Sequence, residues 1–268
     1  MQSNLKSLFQ IQTLLQDLGY PDYKRISPEV IDFINDKKLN QNSLIERLKS
    51  GEPWEYIKGY TDFCDNNFKV TSGTLIPRIE TEQLVYEAIK ILKSDSKVKD
   101  FLDIGTGTGC IPISVAKQIN SYLNIVATDI SNEALKVAKE NEKNILGKEY
   151  IKWVRTDLTE SIQLSSPTLI TANLPYIPKN QYEKLDDSVK LFEPRIALLG
   201  GEKGYEIYEK FFKNLDTKKI NVKYIVLETE TSIISQTKEL AERYFRKAKI
   251  QVLKDSFERE RFLLISFL

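Results

Sequence analysis

Phe101-Leu102-Asp103-Ile104-Gly105-Thr106-Gly107-Thr108-Gly109 is the stretch from which the rest of the chain can be read. A short run of strand character enters a loop of alternating glycines, and the apolar segment from Cys110 to Ile119 continues as a helix: strand, glycine loop, helix. Glycine lets the backbone come close to a ligand and take positive φ. The dinucleotide fingerprint would put its third glycine at position 110, where Cys110 stands. Strict alternation at 105, 107 and 109, with Asp103 on the strand end, favours S-adenosylmethionine over NAD.

The following segments support a cofactor site. Asn124-Ile125-Val126-Ala127-Thr128 reads as the next strand and ends in Asp129, at the distance expected of a carboxylate that accepts from ribose hydroxyls. Ser131 is a candidate cap for a helix reaching Asn144. The strand from Tyr150 to Thr156 then runs into Asp157-Leu158, where the acid can serve as a turn or helix cap or accept from the adenine amino group.

Leu169-Ile170-Thr171-Ala172-Asn173-Leu174-Pro175-Tyr176-Ile177-Pro178 is a buried strand that stops in an amide, a proline and a tyrosine. Pro175 and Pro178 hold their predecessors extended and stiffen the loop. The Asn173 side-chain oxygen and an adjacent backbone carbonyl make a pair of acceptors suited to an NH2 group, and Tyr176 can cover a planar substrate. In open α/β sheets ligands sit at this end of the strands.

Beyond this point the pattern predicts a polar loop with one helical turn over 180–189. It then gives a glycine pair at 200 and 201, a helix from Tyr205 to Leu215, a strand from Tyr224 to Glu228 and a helix from Ser232 to Phe245. Ile250 to Leu253 and Phe262 to Phe267 form an antiparallel pair. Alternating βα units with a terminal hairpin imply a doubly wound sheet.

Upstream, apolar residues from Leu5 to Leu18 recur at helical spacing, and Gly19 with Pro21 ends that segment. Ser27-Pro28-Glu29 reads as the start of a second helix, and a third runs from Asn42 to Lys49, stopped by Gly51. This small module is either a packing lid or a recognition unit for a macromolecule. Alternating aromatic and β-branched residues around Asp65-Asn66-Asn67 predict a hairpin. Arg78 and Glu80, just before a helix from Glu82 to Leu92, read most simply as an ion pair or a cap.

The 268 residues are enough for a catalytic domain with an accessory one. The 39 basic and 38 acidic residues nearly cancel, which speaks against a polyelectrolyte partner. There is no histidine, which removes Ser-His-Asp and Cys-His catalysis and histidine metal sites. Cys64 and Cys110 lack metal-ligand spacing, so no metal and no disulfide framework is expected. No apolar run reaches membrane-span length, and Met1 to Gly19 is amphipathic rather than a signal sequence, so a cytoplasmic protein is expected.

Taken together, these segments resemble the HemK/PrmC family of peptide chain release factor glutamine methyltransferases. The resemblance is carried by Gly51-Glu52-Pro53 with Tyr56-Ile57 and Gly59, by Ile76-Pro77-Arg78 with Glu80-Thr81-Glu82, and by the 103–109 loop and Asp129. It extends through Asn173-Leu174-Pro175-Tyr176 to Glu193-Pro194, Ala197-Leu198 and Gly200-Gly201. It implies an α/β fold, a Rossmann-like S-adenosylmethionine-dependent methyltransferase sheet with a small N-terminal helical domain. The expected division is a helical substrate-recognition domain over 1–60, a β-hairpin linker over 61–81 and a methyltransferase domain over 82–268.

The implied reaction moves a methyl group from S-adenosyl-L-methionine to the side-chain amide nitrogen of the glutamine in the Gly-Gly-Gln loop of release factors. Asn173, Leu174, Pro175 and Tyr176 are the implied catalytic residues and, with Arg78 and Glu80, bind the substrate. Asp103, Gly105, Thr106, Gly107, Thr108, Gly109, Asp129, Asp157, Leu158 and Asn173 are the implied cofactor site. The expected partner is a release factor, with neither membrane nor nucleic acid bound, and the chain is expected to be a monomer. Three positions depart from the family pattern: Leu174 for the first proline of Asn-Pro-Pro-Tyr, Ile79 for a proline and Thr229 for a glycine. The usual acid after the glycine pair is Glu202. Two rival readings are an rRNA or DNA adenine N6-methyltransferase, because Asn-Leu-Pro-Tyr also occurs there, and a noncatalytic cofactor-binding scaffold.

Overall fold

Successive side chains of a strand point to opposite faces, so strands that are apolar on both faces require helices on both sides. The computed structural model describes residues 2–20, 22–37, 41–119, 122–217 and 220–267 and has this layered form. The chain begins with helices α1 (Gln2–Asp17), α2 (Tyr23–Lys37), α3 (Gln41–Lys49) and α4 (Trp54–Lys58). Leu15, Ile26, Val30, Leu48, Trp54 and Ile57 give them a core of their own. Tyr20 ties the chain after α1 to the end of α3, its hydroxyl donating to the Glu52 carbonyl at 2.6 Å. Pro21, expected to end the first helix with Gly19, lies outside the described residues.

One local expectation fails here. α2 starts a turn before Ser27, because Arg25 and Ile26 N–H both reach the Asp22 carbonyl, at 2.9 and 3.0 Å. Ser27 is fully buried and donates its hydroxyl to the Tyr23 carbonyl instead of capping the helix. The Trp54–Lys58 segment adds a short fourth helix to the three expected, and Gly59 at φ 85° closes it in the left-handed region.

The hairpin follows as β1 (Tyr60–Phe63) and β2 (Asn66–Lys69). Phe63 pairs with Asn66, so the turn is Cys64-Asp65 rather than Asp65-Asn66-Asn67. Both turn residues take positive φ, 46° and 57°, as a two-residue hairpin turn matched to strand twist requires. The Asn141 side chain joins this hairpin to the glycine loop. Its Oδ1 accepts from Lys69 N–H at 2.7 Å, and its Nδ2 donates to the carbonyls of Lys69 (3.1 Å) and Thr108 (2.9 Å).

A 3-10 turn at Ile79–Thr81 leads into α5 (Glu82–Ser94), and the alternation then runs β3 (Asp100–Ile104), α6 (Cys110–Gln118), β4 (Asn124–Asp129), α7 (Asn132–Leu146), β5 (Ile151–Arg155) and β6 (Thr168–Asn173). Next come β7 (Ile177–Pro178), α8 (Lys179–Tyr182), α9 (Asp187–Phe192) and β8 (Leu199–Gly201). The chain closes with α10 (Glu206–Thr217), β9 (Val222–Glu228), α11 (Ile234–Tyr244), β10 (Lys249–Lys254) and β11 (Glu260–Ser266). Where one helical turn was expected over 180–189 there are two short helices, because Asp186 caps a second one by accepting from Ser188 N–H at 2.8 Å.

Seven strands form the main sheet in the order β10-β11-β9-β6-β3-β4-β5. It is parallel except that β11 runs against both β9 and β10. Leu102, Ile170, Ile225 and Leu263 turn to the face covered by Tyr208, Phe211 and Leu240 of α10 and α11. Phe101, Leu169, Val226 and Phe262 turn to the other face, against Leu84 and Val85 of α5. No helix among the described residues is long and apolar enough to cross a membrane.

Candidate active site

β3 and β6 lie side by side in register, Ile104 opposite Ala172, so the glycine loop and the Asn173 loop leave the sheet as neighbours where the strand order reverses. Gly105 sits at φ +69°, and a Cβ there would come within 3.0 Å of Leu174 Cδ2. At the end of β4, Asp129 braces the same loop: its Oδ2 accepts from Gly107 N–H at 2.9 Å and its Oδ1 from Ser131 N–H at 2.8 Å. Burial raises the Asp129 carboxyl above the ordinary aspartate range.

A cavity of about 260 Å³ opens between these loops. Of the expected cofactor residues, Gly105, Gly107, Asp129, Asp157, Leu158 and Asn173 line it, as do Leu174 and Pro175. Asp103, Thr106, Thr108 and Gly109 are buried and do not line it. Asp103 is fully buried, accepts from the Thr171 hydroxyl at 2.7 Å, and is pushed up to about 7 by burial. Gly109 is pressed against Trp153 and Ala138, where a Cβ would meet Trp153 Cη2 at 2.8 Å. Asp157 is half-buried and ion-paired with Lys210 of α10, which also lines the cavity.

The acceptor loop is held by residues from three other segments. Asn173 Nδ2 donates to Thr81 Oγ1 at 3.1 Å, which leaves Oδ1 as the free end of the amide. Leu174 is buried, and its carbonyl lies 3.3 Å from the Tyr208 hydroxyl. That hydroxyl makes its closer contact with the Glu228 carbonyl, so its single proton goes there and the Leu174 oxygen keeps its acceptor capacity. Glycines form the floor: a Cβ on Gly200 would sit 2.7 Å from Tyr176 Cα and 2.8 Å from the Pro175 oxygen, and one on Gly204 would sit 2.5 Å from the Tyr176 oxygen.

Tyr176 is half-buried beside the cavity rather than among its lining residues, and burial raises its phenol. Arg78 and Glu80 also lie off the cavity wall. Arg78 pairs with the buried Glu193, which also accepts from Ile76 N–H at 3.2 Å, and Glu80 pairs with Arg259 at 3.1 Å. Residues 78–80 therefore tie the 193–197 loop to the β10–β11 turn. Behind them Glu228 is buried, and burial pushes its carboxyl up to about 7. Asp255 holds the turn: burial raises its carboxyl, but the N–H groups of Arg259 and Phe257 and the guanidiniums of Arg261 and Arg259 outweigh this and bring it down to about 2. Of the departures from the family pattern, Ile79 is exposed, Thr229 is buried at the end of β9, and Glu202 pairs with Lys179 on the surface.

Sequence reasoning gave no role to Tyr208, Gly204 or Lys210, and it quoted Thr81 only as part of a motif. Gly204, four residues after Gly200 in a segment already rich in glycine, was the available signal. Among the described residues no group of three His, Cys, Asp or Glu side chains could hold a metal ion.

The donor and acceptor set fits a nucleoside sulfonium ligand. Bare glycine backbone gives room, and Asp129 keeps spare lone pairs for ribose hydroxyls. Asp157 lines the same cavity as Asn173 and Leu174.

The family model described as methyltransferase small domain matches residues 81–191. The chain is 32% identical over 232 residues to a release factor glutamine methyltransferase of Rhodopirellula baltica, covering 85% of this chain and 78% of that one. It is 30% identical over 254 residues to a release factor glutamine methyltransferase of Bacillus subtilis, covering 92% of this chain and 87% of that one. Among solved structures, the hMettl16 catalytic domain in complex with the MAT2A 3′UTR hairpin 6 shares the fold, with a TM-score of 0.59, 17% identity and 75% of each chain covered.

Proposed function

This chain belongs to the release factor glutamine methyltransferase family, whose members are S-adenosylmethionine-dependent methyltransferases, and we propose that its own substrate is the glutamine side-chain amide in the Gly-Gly-Gln loop of a peptide chain release factor. The observation that carries this reading is two acceptors on adjacent cavity-lining residues, Asn173 Oδ1, free because Nδ2 is engaged, and the Leu174 carbonyl. They match the two N–H groups of a primary amide.

An amide nitrogen is a poor nucleophile because its lone pair is delocalised into its carbonyl. Bound S-adenosylmethionine supplies the methyl group as an electrophile on a sulfonium. Asn173 and Leu174 each accept one N–H of the glutamine, fix its nitrogen in one orientation and stabilise positive charge as it grows there. Tyr176 packs on the amide plane, with Pro175 keeping the loop stiff. Asp129 would hold the cofactor through its ribose hydroxyls, while the buried Asp103 accepts from Thr171 and supports the neighbouring strand. No imidazole is needed, since the proton can leave after transfer.

In this reading residues 1–60 are the substrate-recognition domain, 61–81 the hairpin linker and 82–268 the methyltransferase domain. The enzyme works as a cytoplasmic monomer, and Arg78 and Glu80 shape the substrate side by fixing two loops. The test is incubation with methyl-labelled S-adenosylmethionine and either release factor or rRNA, followed by mapping of the label. Label on the glutamine of the Gly-Gly-Gln loop is expected; label in rRNA would overturn the reading.

A further inference from the structure

Thr81 ends the 79–81 turn and stands where α5 begins, a position from which a threonine hydroxyl ordinarily accepts from the first unpaired N–H groups of the helix. It makes no such cap. The side chain is buried, at 3% exposure, and its oxygen accepts from Asn173 Nδ2 at 3.1 Å instead. The hydroxyl proton then needs an acceptor, and the Thr81 hydroxyl is among the groups that partly offset the effect of burial on the nearby Glu228 carboxyl. Glu228 is the register partner of Asn173 across the β6–β9 pair, is 1% exposed, and its Oε2 makes no hydrogen bond among the described residues, so it is open to a donor.

This arrangement bears on a choice that the Asn173 side chain cannot make alone. The two ends of a primary amide have nearly the same shape but opposite hydrogen-bonding character, so whatever holds one end decides which end the substrate meets. A hydroxyl whose proton is drawn to a carboxylate offers only lone pairs to its other neighbour, and so it selects the NH2 end. Arg261, held by Asp255 at 3.1 Å, brings a cation near Glu228 and offsets part of the burial that raises its carboxyl to about 7, so the ionised form that this polarity needs prevails above that pH.

We propose that Thr81 and Glu228 are positioning residues that hold the Asn173 amide with its oxygen towards the substrate, a role that rests on Asn173 Oδ1 acting as an acceptor for the substrate amide. Neither residue touches the reacting atoms. Thr81 commits its hydroxyl oxygen to the amide rather than to a helix cap, and Glu228 sets the direction of the Thr81 hydroxyl.

The test uses the full chain with S-adenosylhomocysteine added, comparing wild type with Thr81→Val, which keeps the shape without the hydroxyl, and Thr81→Ser, which keeps the hydroxyl. In ¹H–¹⁵N spectra the Asn173 side-chain amide, assigned by its absence from Asn173→Asp, should exchange slowly in wild type and Thr81→Ser and fast in Thr81→Val. The kcat for release-factor methylation should fall about 100-fold in Thr81→Val and stay within about 3-fold in Thr81→Ser, with cofactor affinity and melting temperature unchanged. Equal exchange in all three proteins, or undiminished kcat in Thr81→Val, would overturn the assignment. So would parallel losses of kcat, cofactor affinity and melting temperature, which mark a merely structural residue. If wild type fails to methylate a release factor, the substrate reading has failed, and the exchange measurement decides the positioning role by itself.

Discussion

The loop after β3 carries its conformation in its own residues: Gly105, Gly107 and Gly109 sit at φ +69°, +54° and +77°. The loop after β6 has no residue at positive φ between Asn173 and Tyr176 and takes its shape from Thr81, Gly200, Gly204 and Tyr208, which come from elsewhere in the chain. The first takes its turn from its own glycines, with Asp129 and Asn141 bracing it. The second exists only when the whole sheet is assembled. Cofactor binding and acceptor placement should therefore fail separately when each loop is damaged in its own way.

The sharpest way to break the second loop without touching it is Gly200→Ala. The added Cβ would lie 2.4 Å from the Gly204 oxygen and 2.7 Å from Tyr176 Cα, backbone against backbone with no flexible side chain to yield. Turnover should fall by about 100-fold or more, as expected for a misplacement near 1 Å at a reacting group, while the far side of the cavity still takes the cofactor. Steady-state kinetics with a cofactor titration checks both halves.

Glu193→Ala should have a smaller effect. It removes the acceptor for Arg78 and for Ile76 N–H and unties residues 78–80 from the 193–197 loop. Arg78 is 37% exposed, so water takes up part of the lost pairing, and a stability loss of about 1–2 kcal/mol is expected with a roughly tenfold rise in KM for the protein substrate. Denaturant titration and KM measurements would show whether the change reaches kcat, which it should not.

The next perturbation changes a charge behind the second loop. Glu228 and Asp103 both have folded-state carboxyls near 7, raised by burial above their unfolded values. For an acid raised in this way the folded state holds its proton longer, so stability is full below the unfolded value and declines as pH rises towards 7. Each group contributes on the order of 3 kcal/mol to that decline. Glu228→Gln should leave about half the slope, carried by Asp103, when unfolding free energy is measured from pH 4 to 8. An unchanged slope would mean that Glu228 is not the buried acid it looks to be.

Leu174→Pro should do least. The position contributes its carbonyl, which proline retains, and no hydrogen bond from the Leu174 N–H is among those recorded for the loop. Turnover should stay within about 3-fold while the loss of a buried leucine costs roughly 1–3 kcal/mol, read as a lowered melting temperature.

The contrast between the loops also explains what the sequence disclosed. Residues 101–109, Asp129 and the Ser131 cap were legible because local chemistry fixes them: glycine for positive φ, an acid at a strand end, a hydroxyl before a helix. Asn173 and Leu174 were legible as the end of a strand because Pro175 and Pro178 follow them. What holds them was not legible. Thr81 lies 92 residues from Asn173 along the chain and Tyr208 lies 34 from Leu174, and only the strand order brings them together. Local rules misplaced the start of α2 for a related reason, since Ser27 looks like a cap until burial gives its hydroxyl to Tyr23. Asp157 showed its strand-end position but not its pairing with Lys210, which arrives from α10.

The division of labour is tested most directly by titrating S-adenosylhomocysteine into Asn173→Ala and Gly105→Ala and measuring turnover of both at saturating cofactor. Asn173→Ala should keep its affinity within about 3-fold and lose turnover by about 1,000-fold. Gly105→Ala, strained at positive φ, should lose affinity by about 10-fold or more and recover most of its turnover once saturated. The opposite result, Asn173→Ala keeping its turnover or losing affinity and turnover together, would contradict the account.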